Sequence, residues 1–420
     1  MLEQIPGAGL VLFSNPERIR NNDVEHEYRQ DSDFHYLSGY AEPDSVLVLR
    51  HEAPRFTLFV RPRDPDREVW DGPRAGVDGA MQRFGADAAH PIAELGERLP
   101  GLLSGLDAVH YRLGRERAQD DVLLKTLEGV RRLARRGVRA PETIVNPALV
   151  LHEMRLRKEP AEIELMRRAA AITREGHVAA MAFTRPDAFE YETEAVLGSI
   201  FRRNGAERHA YSPIVGSGPN ATILHYRSND RRMQAGELLL IDAGCEFGYY
   251  ASDVTRTFPV SGKFSGPQRA VYEIVLRAEL EAIAACRIGA SVEAPHDVAL
   301  RVLTEGLIEL KLIEGPLSSA IEQGLYKPWY MHRTSHWLGM DVHDVGNYHV
   351  GGKPRSLEPG MVLTVEPGLY FSATDERVPA PFRGIGIRIE DDVLVTESDP
   401  EVLTGSIPKH PDEVERACAA

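Results

Sequence analysis

The sequence predicts an α/β (α+β) protein of two domains, residues 1–151 and 152–420, and three observations carry that reading. Short apolar runs of strand length alternate with longer segments of helical period. A loop-like stretch, Arg139–Pro147, carries Pro141 and Pro147 and divides two regions near Leu151. The larger region then repeats its own order of elements.

In the first region, Ser45–Arg50 and Arg55–Val60 read as strands separated by a break at Ala53-Pro54. Ile92–Leu103 and Asp120–Arg136 read as helices. Beyond the boundary a long amphipathic helix opens at Glu159-Pro160, where proline is tolerated in the first turn. Ile163, Met166, Ala170, Thr173 and Met181 recur along it at helical spacing and mark its core face. A second helix over Thr193–Arg203 stops at Asn204-Gly205, and strands follow at Glu237–Asp242 and Tyr249–Pro259. The order then recurs: helices over Ser265–Arg287 and His296–Ile313, then strands at Met361–Glu366 and Gly384–Thr396.

The repeat reaches single residues. Gly236-Glu-Leu-Leu-Leu-Ile-Asp242-Ala-Gly244 lines up with Gly360-Met-Val-Leu-Thr-Val-Glu366-Pro-Gly368, at an offset of 124 residues (366 − 242). Each block precedes a second acid on a strand, Asp253 in the first half and Glu390 in the second. Two helices, a strand ending in an acid and a second acidic strand, twice over, indicate a duplicated half-domain.

Composition excludes several function classes. The chain carries 63 Asp+Glu against 49 Lys+Arg, a net charge of −14, which argues against a surface built to neutralise nucleic-acid phosphates. The local basic run Arg131–Arg139 reads as the solvated face of a helix. No stretch approaches the roughly 18 apolar residues that would span a bilayer. The segment Met1–Phe13 lacks the basic start and apolar run of a signal peptide. Three cysteines, Cys245, Cys286 and Cys418, with no CxxC pair, point to a reduced compartment, and a cytoplasmic protein is expected.

The acids are therefore worth following by position. Asp242 ends an apolar strand, where an ionised carboxylate is costly unless paired or metal-bound. If the chain reverses at Phe247-Gly248, Asp253 lies opposite Asp242 in a hairpin. Two facing carboxylates repel, and a shared proton, an arginine or a cation relieves them. In Gly384–Glu390 the period of two sets Ile385, Ile387 and Ile389 on one face and Gly386, Arg388 and Glu390 on the other. Glu366 shares a face with Val362 and Thr364. Histidine clusters as well: His332, His336, His343 and His349 fall within 18 of the 420 residues that hold 15 histidines in all. Four acids with one histidine make an oxygen-rich set suited to Mn²⁺, Mg²⁺ or similar ions, and two divalent ions would balance four carboxylates. Metal-assisted hydrolysis is the chemistry implied.

The order Asp242, Asp253, His336, Glu366, Glu390 resembles the five-ligand dinuclear site of the methionine aminopeptidase, prolidase and aminopeptidase P superfamily. Within it the chain is similar to the aminopeptidase P (Xaa-Pro aminopeptidase) group. The likeness runs through Arg20–Phe34, Ser212–Tyr226, Met331-His-Arg-Thr-Ser-His-Trp-Leu-Gly-Met-Asp-Val-His-Asp344 and Arg383–Asp392. It implies an N-terminal creatinase-type mixed-sheet domain that restricts substrates and makes subunit contacts, then a pita-bread catalytic domain with pseudo-twofold halves. It implies two divalent ions, Mn²⁺ first with Zn²⁺ or Co²⁺ as alternatives, bridged by Asp253 and Glu390. Asp242 would bind one ion, and His336 and Glu366 the other.

By the same resemblance, His225, His332 and His343 would handle substrate or the tetrahedral intermediate, Arg388 would orient carboxylates, and Glu366 would also shuttle a proton. The substrates implied are peptides with proline in second position, cleaved before the proline by a hydroxide bridging the ions. A homodimer or homotetramer follows, with Trp70 matching a tryptophan that reaches a neighbour's active site. Arg333 and Thr334, between His332 and His336, depart from the family pattern. Prolidase, limited to Xaa-Pro dipeptides, shares every ligand; a metal-free creatinase-like enzyme and a non-catalytic module are the readings from other classes.

Overall fold

Strand formation in the N-terminal region follows from apolar residues buried on both sides of a sheet. A computed structural model describes residues 1–419, which divide into two compact units, Met1–Met154 and residues 155–419. In the first unit Ala8–Phe13 is a central strand, antiparallel to Val46–Leu49 and parallel to Ala108–His110. Phe56–Val60 and Ala88–Pro91 extend one side of this six-stranded mixed sheet and Thr143–Val145 ends the other. Alternation divides the core: Leu10, Leu12, Leu47 and Leu58 face one cluster, and Val11, Val46, Val48 and Phe59 the other.

The helix expected over Asp120–Arg136 spans Arg117–Arg131, followed by a short 3₁₀ turn at Ala134–Arg136. The arginine run is thus a helix end and a turn rather than a continuous helical face, and its side chains are largely solvent-exposed. The sequence-based division at 151 falls within the helix Ala148–Leu156.

The second unit shows the duplication. Its first half pairs helices Pro160–Phe183 and Glu190–Arg203 with a sheet of Ile214–Ser217, Leu238–Asp242 and Thr255–Pro259. Its second half pairs Gly266–Ala284 and Ala294–Glu309 with Val362–Val365 and Asp391–Leu394. Both leading helices start with capping boxes, at Glu159 and Ser265, each with proline in the first turn. Met166, Ala170, Thr173 and Met181 are buried as their spacing requires, with Ile163 half-buried.

Two strands are interrupted where one was expected. Tyr249–Pro259 divides into Tyr250–Ala251 and Thr255–Pro259, and Gly384–Thr396 into Gly386–Arg388 and Asp391–Leu394. Asp253 and Glu390 sit in the breaks. The hairpin reverses at Gly248-Tyr249, both at positive φ (56° and 69°), so Asp242 pairs with Thr255 and not with Asp253. The shift is two residues, an even number, so Asp253 keeps the face that Asp242 uses.

Candidate metal centre

Each acid is delivered by a strand end. Asp242 closes the buried run Leu238–Ile241, and Glu366 follows the buried Val362–Val365. The Glu366 N–H donates to the Thr334 carbonyl (2.8 Å) within the second half, and the Glu390 N–H donates to the Thr255 carbonyl (3.1 Å), which stitches the two halves together at the site. Side-chain atoms of Asp253, His336 and Glu390 lie within 4.8 Å of one another and form the one such cluster found among the described residues.

The other two acids join this core. The Tyr211 hydroxyl reaches both Asp242 and Asp253 and can donate its single proton to either. Burial, then those two acids, keeps that proton on Tyr211 by raising its pKa well above the usual tyrosine range. Glu366 Oε1 is 3.7 Å from His336 Nε2, and Asp253 Oδ2 is 3.4 Å from the same atom. The His336 Nδ1 donates to the Trp337 carbonyl (3.0 Å), leaving Nε2 to face the acids.

The charges are unbalanced in favour of the acids. Burial and then Asp253 and Glu366 push Glu390 well above the ordinary carboxylate range, and burial raises Glu366 to about 7 against the pull of His336 and Arg388. His336 rises to about 9 although burial opposes it, because Asp253 and Glu366 flank it. Arg388 donates to Asp242 (2.6 Å), to Thr255 Oγ1 (3.0 Å) and to the Tyr370 hydroxyl (2.9 Å). The Thr255 hydroxyl in turn donates to Glu390 (2.6 Å). One arginine and one histidine thus face four carboxylates, of which Asp253 and Glu390 are buried and Asp242 and Glu366 half-buried. An oxygen-rich set with one imidazole and surplus negative charge fits divalent cations.

A cavity of about 450 Å³ opens on this set, lined by Asp242, Glu366, His336 and Arg388, with His225, His332, Leu224, Val292 and Tyr348 among its walls. His332 is committed within the protein: Nδ1 donates to the Arg333 carbonyl (2.7 Å) and Nε2 accepts from Tyr370 (2.9 Å). Burial, then Arg388, lowers it to about 4, so it is neutral. His225 is on the cavity wall and exposed. His343 is exposed and meets the His336 ring edge-on, with centroids 4.4 Å apart at 73°. His349, in the same sequence cluster, reaches the cavity rim near Glu293 (4.0 Å). Of the two unusual residues, Arg333 pairs with Glu293 (3.3 Å) on the wall, and Thr334 is buried against His296 (2.9 Å).

Tyr211, Thr255, Tyr370 and Asp392 were not singled out from sequence. Thr255 and Asp392 had a signal: the period of two places them with Asp253 and Glu390, and Asp392 accepts the Asp253 N–H (3.2 Å). Tyr211 and Tyr370 had none, since each is an isolated tyrosine brought in by tertiary folding.

Comparison with known proteins bears on the whole chain. Residues 164–397 match the model of metallopeptidase family M24, and residues 1–110 that of the aminopeptidase P N-terminal domain. The chain is similar to an Xaa-Pro aminopeptidase of Escherichia coli, 45% identical across 100% of this chain and 96% of that protein. A Haemophilus influenzae Xaa-Pro aminopeptidase is also 45% identical, over 98% and 93%. Among solved structures, aminopeptidase PepP of Pseudomonas aeruginosa superposes with a TM-score of 0.97 at 48% identity, covering 99% of this chain and 94% of that one. A zinc-substituted E. coli aminopeptidase P in complex with product gives 0.95 at 44%, over 100% and 95%.

Proposed function

The chain belongs to metallopeptidase family M24, and on that premise we propose that it is a hydrolase removing the first residue from peptides with proline in second position. The observation that carries this is the convergence of Asp242, Asp253, His336, Glu366 and Glu390 in one cluster, three of whose members, Asp242, His336 and Glu366, line the cavity. Asp253 and Glu390, at the centre of the set, are suited to bridge two divalent ions, with Asp242 on one and His336 and Glu366 on the other. Mn²⁺ is the proposed resident metal, with Zn²⁺ or Co²⁺ able to use the same donors. When bound, such ions supply Lewis-acid polarisation of the scissile carbonyl and acidify a water.

The protein's own groups do the rest. Glu366, held near neutrality by burial, takes and returns a proton at its carboxylate. Arg388 fixes Asp242 and Tyr370, and Tyr370 holds the neutral His332 in place on the wall. Of the three histidines that the resemblance singles out, His225 and His343 have exposed rings, and we assign them to holding substrate oxygens. A bond to proline nitrogen has no N–H, so the ring is accepted by shape and apolar contact, which Leu224, Val292 and Tyr348 offer.

The relatives reported above are Xaa-Pro aminopeptidases, and prolidase is not favoured. Purified protein loaded with Mn²⁺ should cleave Ala-Pro-Ala and longer Xaa-Pro peptides faster than the dipeptide Ala-Pro. Cleavage of the dipeptide alone would overturn the aminopeptidase assignment in favour of prolidase. Elemental analysis showing no bound divalent metal in active protein would overturn the metal chemistry.

The proposal extends to a homodimer or homotetramer in the cytoplasm, with the N-terminal domain, residues 1–151, making subunit contacts and restricting substrates. Supporting it, Val69 and Trp70 stand 81% and 85% exposed on the short helix Pro65–Asp71, and all three cysteines are free. Light scattering on wild type and Trp70→Ala tests the association.

A further inference from the structure

We propose that Lys158 and Arg155 are positioning residues for His343, acting through Asp344; the proposal rests on the peptidase reading of the site. Arg155 lies in the last turn of the helix Ala148–Leu156, and Lys158 sits two residues before the helix Pro160–Phe183. Their side chains are 3% and 1% exposed, and both converge on the equally buried Asp344. Lys158 Nζ donates to Asp344 Oδ2 (3.0 Å) and Arg155 Nη2 to Asp344 Oδ1 (2.6 Å), so each carboxylate oxygen has its own cation. Arg155 Nη2 also donates to Asp341 (2.8 Å) in the same loop. Burying two cations is costly unless they are paired, and here they share one anion in the loop after His336.

That loop is shaped around the clamp. The Asp344 N–H donates to the Trp337 carbonyl (2.9 Å), closing the segment that begins next to His336. At Gly339 a Cβ would stand 2.2 Å from Asp344 Oδ2 and 2.8 Å from Lys158 Cε, so the backbone passes where only glycine fits. His343 is the residue before Asp344, and its ring meets His336 at 4.4 Å. The clamp therefore sets where His343 stands relative to a metal ligand without touching substrate itself.

A double-mutant cycle separates this from general stabilisation. With Ala-Pro-Ala as substrate, Lys158→Met should lower kcat about tenfold through misplacement of one group. KM and metal content should stay within about twofold, and in a His343→Ala background the same change should cost nothing further. Arg157→Met, which breaks the half-exposed Arg157–Glu358 pair (2.8 Å) from the same turn, should keep wild-type kcat. Wild-type kcat in Lys158→Met, a kcat loss that tracks metal loss, or an undiminished loss in the His343→Ala background each overturns the proposal. If Lys158→Met does not fold, Asp344→Asn takes its place in the cycle with the same outcomes. A crystal structure of the variant gives a reading independent of activity: a displaced His343 ring is expected, and an unmoved one overturns the proposal. Failure of wild type to cleave any Xaa-Pro peptide would instead overturn the peptidase reading.

Discussion

Two buried charge clusters meet at the Glu390-Asp391 peptide, one on each side of the strand, and they are composed differently. On one face Asp242, Asp253, Glu366 and Glu390 are met by Arg388 and His336. On the other, Asp391 and Glu279 are met by Arg256 and Lys409, two formal charges of each sign. Arg256 donates to Asp391 (2.8 Å) and to the Glu390 carbonyl (2.6 Å), and Lys409 to Asp391 (2.6 Å) and Glu279 (2.7 Å). Although burial opposes it, Arg256 and Lys409 hold Asp391 well below the usual carboxylate range. The balanced cluster draws its counter-charges from the chain itself and braces the Glu390 backbone from behind, although one Glu279 oxygen has no hydrogen-bond partner and burial, then Asp391, raises Glu279 well above the ordinary carboxylate range. The unbalanced cluster opens on a cavity, and its surplus of acid is there for what binds. Buried charge is therefore informative through its balance more than its amount.

The comparison can be broken at several points. The largest effect is expected at the unbalanced face: Glu366→Ala should lower turnover about 10³-fold or more with the fold intact, as loss of a proton-transferring group does. Full activity in a well-folded variant would remove Glu366 from the chemistry. At the balanced face, Lys409→Met leaves two buried acids to one arginine and should cost about 3–5 kcal/mol of stability, read from the urea midpoint. A loss below 1 kcal/mol would mean that protonation, and not Lys409, neutralises Glu279.

Chelation should act on the unbalanced face alone. Removal of bound divalent ions is expected to lower stability by about 3–4 kcal/mol and the melting temperature by roughly 5–10 °C. An unchanged melting point after verified metal loss would show that the four carboxylates do not share one charged cavity.

His177 lies between the two faces, and its effect is the smallest. It is fully buried, donates from Nε2 to the Ala243 carbonyl (2.8 Å) beside Asp242, and burial lowers it from 6.5 to about 4. The unfolded chain takes up this proton below pH 6.5 while the folded one does not. The neutral state therefore contributes fully above pH 6.5, and its contribution is lost as pH falls toward 4. His177→Gln should flatten stability between those limits, removing up to about 3 kcal/mol of pH dependence. Parallel wild-type and variant curves in chemical denaturation would exclude the histidine as the source.

Much of the site was legible because its residues occupy periodic positions. Period-two alternation put Arg388 and Glu390 on one face, and the repeat of Gly236–Gly244 at Gly360–Gly368 paired Asp242 with Glu366. The same alternation hid its opposite face. Asp391 follows Ile385, Ile387 and Ile389 on an apolar side, and nothing local shows that Arg256 and Lys409, 135 and 18 residues away, neutralise it. The hairpin register was misread by two residues because its left-handed positions are Gly248 and Tyr249, and tyrosine carries no turn signal.

By itself the sequence determined the α/β class, the duplicated order of helices and strands, and the chemical type of the donor set. These depend on spacing along the chain, which backbone geometry converts directly into faces and ends. Only the tertiary structure decided which acids meet, which carboxylates are balanced and which are left over, and how Asp344 is gripped by Lys158. Those outcomes depend on charges from distant segments sharing one buried volume, where Coulomb and desolvation energies are set by distances in space and not by distance along the chain.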